Sequence, residues 1–104
     1  MMEKEQMYGF EMIHMKDIQD IMKRERCMVV DLRDNESFRK DHFAGAKNFP
    51  FFYFEEWKNE IPQNVSLILY CEHGNQSMLA ARKLRRRRGK IYTVMGGYRR
   101  KEKD

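Results

Sequence analysis

The stretch "LILYCEHGNQSMLAARKLRRRR" (Leu67–Arg88) decides the fold. It begins as a compact apolar run, "SLILYC" (Ser66–Cys71), of the length and composition of a strand buried on both faces. A polar, glycine-containing loop follows at once, and from Ser77 to about Arg88 the pattern turns helical, with Ala80, Ala81 and Leu84 on the core side. Gly89 is expected to end that helix. Strand, tight loop and helix in this order form half of a βαβ unit, and a single cysteine, Cys71, stands at the turning point.

The flanking sequence repeats the alternation. "KIYTVM" (Lys90–Met95) reads as the next strand and "GGY" (Gly96–Tyr98) as a turn. Upstream, "CMVVDL" (Cys27–Leu32) is another buried, β-branched strand. Met15, Ile18, Ile21 and Met22 follow the three-to-four residue period of a short amphipathic helix. "DNESFRKDHFAGAKNFP" (Asp34–Pro50) opens on Asp34 or Asn35 as N-cap, runs helically to Phe43, and breaks at Gly45 and Pro50. "FFYFEEWKNEIP" (Phe51–Pro62) reads as a short helix packed by Phe54 and Trp57. Strands alternating with helices require right-handed crossovers, hence a mostly parallel sheet with helices on both faces. Sites in such sheets lie beyond the carboxyl ends of the strands, where Cys71 stands.

The 104 residues suit one domain with one hydrophobic core, flanked by frayed tails at 1–6 and 99–104. With 41% hydrophobic and 36% charged residues, the chain has the balance of a globular protein with a heavily charged surface. The net charge of +5 permits anionic partners without demanding them. Two cysteines are too few for a disulfide framework, so a reducing, cytoplasmic setting is expected. "MMEKEQMYGF" has no apolar core of a signal peptide, and no apolar run approaches the roughly 20 residues of a membrane helix. Cys27, Cys71, His14, His42 and His73 lack paired zinc-type spacing, so no metal is expected.

The loop "CEHGNQS" carries the chemistry. A loop closing from strand to helix turns backbone N–H groups inward, and the helix start adds unpaired donors and a positive dipole end. Gly74 permits a backbone conformation that a side chain obstructs. A Cys71 thiolate within this ring is stabilised by those donors, as is a sulfur anion attached to it. The plain alternative is a buried, inert strand-end cysteine. His73 is open to two readings, a proton donor or acceptor beside the thiol and a solvent-facing loop residue. Cys27 reads as inert packing. Arg85, Arg86, Arg87 and Arg88, with Arg82, Lys83 and Lys90, read as a solvated helix face complementing the helix dipole. They lack the interleaved aromatic residues of a nucleic-acid platform. Neither nucleic acid nor a membrane is expected as a partner.

Three segments taken together resemble the rhodanese-like domains in their single-domain form: "VVDLRDNESFRKDHFAGAKNFP" (Val29–Pro50), "LYCEHGNQSMLAARKLR" (Leu69–Arg85) and "YTVMGGY" (Tyr92–Tyr98). The resemblance runs from about Ile13 to Tyr98, with the motifs in order. It implies a rhodanese-like α/β fold around a mostly parallel five-stranded sheet. It also implies that Cys71 accepts a sulfane sulfur as a persulfide from a small donor and passes it to a thiol or protein acceptor, with no cofactor. The same carry-over makes Glu72, His73, Gly74, Asn75, Gln76 and Ser77 the substrate-binding loop. Asp31, Arg33 and His42 become supporting residues.

The chain departs from the family pattern in three places. Gln76 replaces the loop arginine, Asp41 replaces the glycine before His42, and no tryptophan follows the Gly-Gly turn. Losing a charged hydrogen bond worth about 1.5–3 kcal/mol weakens binding of a dianion such as thiosulfate roughly tenfold or more. Glu72 acts in the same direction. A cysteine phosphatase or arsenate reductase requires an arginine six residues after the cysteine, where this chain has Ser77. A non-catalytic or regulatory binding module of the same fold is the stronger alternative.

Overall fold

The computed structural model describes residues 9–98. The expected tails, 1–6 and 99–104, lie outside that range. Five strands form one sheet: β1 (Glu11–Ile13), β2 (Cys27–Asp31), β3 (Lys47–Asn48), β4 (Ser66–Tyr70) and β5 (Ile91–Val94). They are ordered β1-β5-β4-β2-β3 and every neighbouring pair is parallel. Four α-helices connect them: α1 (Ile18–Arg24), α2 (Asn35–Lys40), α3 (Phe54–Trp57) and α4 (Asn75–Lys83).

Both faces of the sheet are covered, because side chains alternate along each strand. Val30, Leu67, Leu69 and Ile91 share one core with Phe54, Trp57, Ala80 and Ala81, and Cys71 belongs to it. Val29, Ile68, Tyr70, Tyr92 and Val94 build the opposite core with Ile18 and Ile21. β4 lies at the centre of the sheet with all five residues buried, as its unbroken apolar run implies.

The three central strands lie where the apolar runs place them. Boundaries differ in instructive ways. The N-terminal helix is α only from Ile18, after a 3₁₀ turn at Met15–Asp17, and Met22 is exposed instead of joining its apolar stripe. α2 stops at Lys40, short of Phe43, with Asp34 as its N-cap accepting the Ser37 N–H at 2.8 Å. The segment after Pro50 is a 3₁₀ turn (Phe51–Tyr53), then α3, then a second 3₁₀ turn (Lys58–Glu60).

The arginine-rich helix is the main correction: α4 runs from Asn75 to Lys83, not from Ser77 to Arg88. It starts earlier because Gly74 takes φ +100° as the residue before the first turn. It ends earlier because Arg87 turns back, donating to the Val65 carbonyl at 2.8 Å and to the Pro62 carbonyl. Gly89 then serves the entry to β5 instead of the helix end. Its φ is +91°, and a Cβ there would lie 2.5 Å from the Val65 oxygen.

Candidate functional site

Cys71 follows the central strand, at the carboxyl end of the sheet. Its Sγ accepts two backbone N–H groups, from Gly74 at 3.1 Å and from Ser77 at 3.3 Å. Ser77 contributes twice, since its hydroxyl donates to the Gly74 carbonyl at 3.1 Å and closes the loop on itself. The N–H groups of Asn75 and Gln76 lie in the first turn of α4, where helix geometry supplies no intrahelical partner. Of the donors expected from this loop, those of Gly74 and Ser77 reach the sulfur.

The thiol itself is more enclosed than a rim position: Cys71 is 1% exposed. It nevertheless lines a cavity of about 200 Å³ with Glu72, His73, Asn75 and Gln76, whose side chains are exposed. Seven residues from Cys71 to Ser77 thus divide by role. Cys71, Gly74 and Ser77 are buried around the sulfur, while the other four are exposed and wall the cavity.

The loop is held from behind by the Gly-Gly turn. Gly97, at φ +84°, packs on the backbone of Glu72 and His73, and a Cβ there would fall inside contact distance of the Glu72 carbonyl and 2.6 Å from the His73 nitrogen. A Cβ on Gly74 would in turn lie 3.1 Å from the Gly96 nitrogen. The Tyr98 N–H donates to the Cys71 carbonyl at 2.8 Å. This buttress arises from residues more than twenty positions away, and nothing in the loop's own sequence reveals it.

Asp31 and Arg33 sit at the end of β2, next to β4, where Asp31 is in register with Tyr70. Asp31 is fully buried. It takes Arg33 Nε at 3.1 and 3.2 Å, Nη2 at 2.8 Å, and the Arg33 backbone N–H at 2.9 Å. Arg33 also donates to the Asp41 carbonyl at 2.6 Å and lies 4.4 Å above the Tyr98 ring. Burial works against the guanidinium charge, but the hydrogen bonds and charge of Asp31 outweigh it and hold Arg33 above its ordinary pKa. The Tyr98 hydroxyl donates to the Asp41 carboxylate at 2.8 Å. The pair therefore works as an internal brace between β2, the Asp41 turn and the residue bonded to Cys71. The Tyr70 phenol, pushed up chiefly by burial, accepts the Phe43 N–H at 3.0 Å on the same side.

His42 is placed elsewhere. Its ring stacks on Phe38 at 3.7 Å, its Nδ1 lies 2.6 Å from the Phe38 carbonyl, and it is not among the residues lining the cavity beside Cys71.

A second cavity of about 420 Å³ adjoins the first, with Glu72 and Gln76 in both walls. Pro50, Phe51 and Phe52 form its apolar side. That wall is fixed by the Trp57 indole N–H, which donates to the Pro50 carbonyl at 2.8 Å, and by the Phe51 N–H, which donates to the Leu32 carbonyl at 2.9 Å. Phe52 remains 86% exposed. The aromatic segment thus supplies a rim beside the thiol, with Trp57 itself in the core behind it.

Cys27 does not meet Cys71. It opens β2 opposite Ser66, five residues before Cys71 along β4, a separation of about 16 Å at the usual rise per strand residue. Among the described residues, no group of three His, Cys, Asp or Glu side chains is placed to hold a metal ion, and no helix is long and apolar enough to cross a membrane.

Comparison with known proteins agrees with this fold. The family model for the rhodanese-like domain matches residues 14–103. An uncharacterised protein of Bacillus subtilis, YqhL, is 32% identical over 74 residues, covering 70% of this chain and 59% of that protein. The thiosulfate sulfurtransferase GlpE of Coxiella burnetii is 25% identical over 80 residues, covering 76% of this chain and 75% of GlpE. The crystal structure of a rhodanese-related protein from Thermoplasma volcanium superposes with a TM-score of 0.74 at 24% identity. That match covers 85% of this chain and 86% of the other.

Proposed function

The chain belongs to the rhodanese-like domain family, in which relatives such as GlpE are named sulfurtransferases, and from that premise we propose that it moves a sulfane sulfur through a persulfide on Cys71. The thiolate attacks the outer sulfur of a donor, a new S–S bond forms, and the donor's remaining group leaves with the electron pair. A thiol, small or borne by a protein, then attacks the outer sulfur and restores the Cys71 thiolate, completing a double displacement. The N–H groups of Gly74 and Ser77 hold the inner sulfur. Those of Asn75 and Gln76, at the positive end of α4, face the developing charge on the outer one. Asp31 and Arg33 position the loop through Asp41 and Tyr98. His42 steadies the turn after α2. We place this chemistry in the cytoplasm, where thiols stay reduced.

One observation carries the reading: two main-chain donors converge on a cysteine sulfur at the carboxyl end of the central strand. Intact mass spectrometry after incubation with inorganic polysulfide tests it. The wild-type chain gains one sulfur atom and the Cys71→Ser variant does not. A wild-type chain that gains none, or a variant that gains it equally, would overturn the proposal.

The 1% exposure of Cys71 favours the second reading, a binding module that keeps the fold without turnover. Failure of Cys71 to react with a small neutral alkylating agent at neutral pH would decide for that module.

A further inference from the structure

The two cavities beside Cys71 have an unusual charge inventory for a site that handles sulfur anions. Asp34 and Glu72 are exposed carboxylates on the wall of the larger one, and Glu72 also faces the smaller. The Ser37 N–H holds the Asp34 carboxyl below its ordinary range, so it is ionised near neutrality. Arg33 is the cation in the same wall; the fully buried Asp31 pairs with it, and the charges of Arg33 and Lys40 also act on Asp34, against the two wall carboxylates. His73 adds an exposed imidazole to the wall of the smaller cavity. Gln76, at the junction of the cavities, donates hydrogen bonds without charge. Phe51 and the largely exposed Phe52 line the larger cavity. The chain as a whole is cationic, but the approach to its thiol is not.

Resting on the persulfide reading above, we propose that the organic partner of Cys71 is a neutral or cationic thiol, or the persulfide of one, whose apolar body lies against Phe51 and Phe52 with any ammonium group turned towards Asp34 and Glu72. With the persulfide RS–SH as donor, the Cys71 thiolate attacks the terminal sulfur, the new S–S bond forms, and RS⁻ leaves and takes a proton from water. Delivery to an acceptor thiol is the same exchange reversed, with no net oxidation. A cleft lined by one sign of charge concentrates the opposite sign by about tenfold or more and repels its own. Small dianions are therefore excluded by the walls as well as by the missing loop arginine.

The test reads the field at the thiol without requiring a persulfide. In a Cys27→Ser background, Cys71 is treated with 2-aminoethyl methanethiosulfonate or 2-sulfonatoethyl methanethiosulfonate. Each rate is divided by that of the same reagent with 2-mercaptoethanol. The cationic reagent is expected to be favoured by about tenfold at low salt, with the ratio falling as salt rises. Glu72→Gln lowers the ratio, and Gln76→Arg brings it below one. Benzyl methanethiosulfonate outpaces the methyl reagent in the same assay, and Phe52→Ala removes that advantage. A ratio near or below one in the parent, or a ratio insensitive to salt, would overturn the inference and leave the persulfide proposal standing, whereas no reaction with either reagent would overturn both. Absent persulfide loading with these preferences intact would fall on the persulfide proposal instead.

Discussion

Cys27 and Cys71 stand at opposite ends of one sheet, and the less buried of the two is the worse candidate for a nucleophile. Cys27 is half-buried, and its thiol is pushed up by burial and by the charge of Glu25. Cys71 is almost fully enclosed, yet two N–H groups point at its sulfur. The ends of the sheet differ in the same sense. Around Cys27, charge is answered by side chains: Glu25 accepts Ser66 Oγ at 2.6 Å and the Tyr92 hydroxyl at 2.8 Å, with Lys90 at 3.8 Å and Arg24 at 3.9 Å. Around Cys71 the answering groups are main-chain amides, and the loop side chains line the cavity beside it. The two ends thus differ in which donors converge on the sulfur: main-chain N–H groups reach Cys71, while the donors beside Cys27 go to Glu25.

The comparison breaks most readily at Gly97. Gly97→Ala puts a methyl group against the Glu72 carbonyl at a positive φ, so the Cys71 loop must move. Unfolding in urea is expected to show a loss on the order of 3 kcal/mol, with sulfur loading reduced as well. Unchanged stability and loading would mean that the Gly-Gly turn does not hold the loop.

The reactivity contrast is sharpened by iodoacetamide at neutral pH. Cys71 is expected to alkylate about tenfold faster than Cys27, because the thiolate is the reacting form and two main-chain N–H groups reach the Cys71 sulfur. Peptide mapping over time checks this, and faster labelling of Cys27 would reverse the assignment.

Tyr98→Phe removes the hydroxyl bond to Asp41 while keeping the ring under Arg33. The expected loss is about 1 kcal/mol in thermal or urea unfolding. A neutral result would place the brace in the ring contact alone.

The smallest effect belongs to the Cys27 end. Hydrogen bonding from Ser66, with Tyr92 and the nearby cations, holds the Glu25 carboxyl below its ordinary value of 4.5, while burial opposes the shift. Its contribution is therefore present above that value and is lost as pH falls through the lowered one. Glu25→Gln is expected to cost about 1 kcal/mol at neutral pH. The gap should close in acid, measured as unfolding midpoints across an acid series. A gap that widens in acid would contradict the sign. At the other extreme, the Tyr92 phenol, pushed up to about 12 by burial and by Glu25, stays protonated throughout that series.

Much of this architecture was legible from local pattern. β2, β4 and β5 announce themselves because a strand covered on both faces is an unbroken apolar run. β1 and β3 do not. They are three and two residues long, lie at the edges, and owe their existence to register with a neighbour. They follow from resemblance to a family, not from their own residues. The Arg85–Arg88 run reads as helix because arginine favours helix. Carbonyls at Pro62 and Val65, over twenty residues upstream, instead draw Arg87 out of it. At the site, Gly74 and Cys71 were visible in the loop's own chemistry. The supports from Gly97, Tyr98 and Asp41 were not, since they depend on which distant turns the sheet brings together.

The contrast between the cysteines is tested most directly by locating the transferred sulfur. The wild-type chain is exposed to a limiting sulfane-sulfur donor, digested under conditions that preserve persulfides, and its two cysteine peptides are compared by mass. The extra sulfur should reside on the peptide containing Cys71, with Cys27 unmodified. Sulfur found on Cys27, or shared equally between the two, would contradict the account.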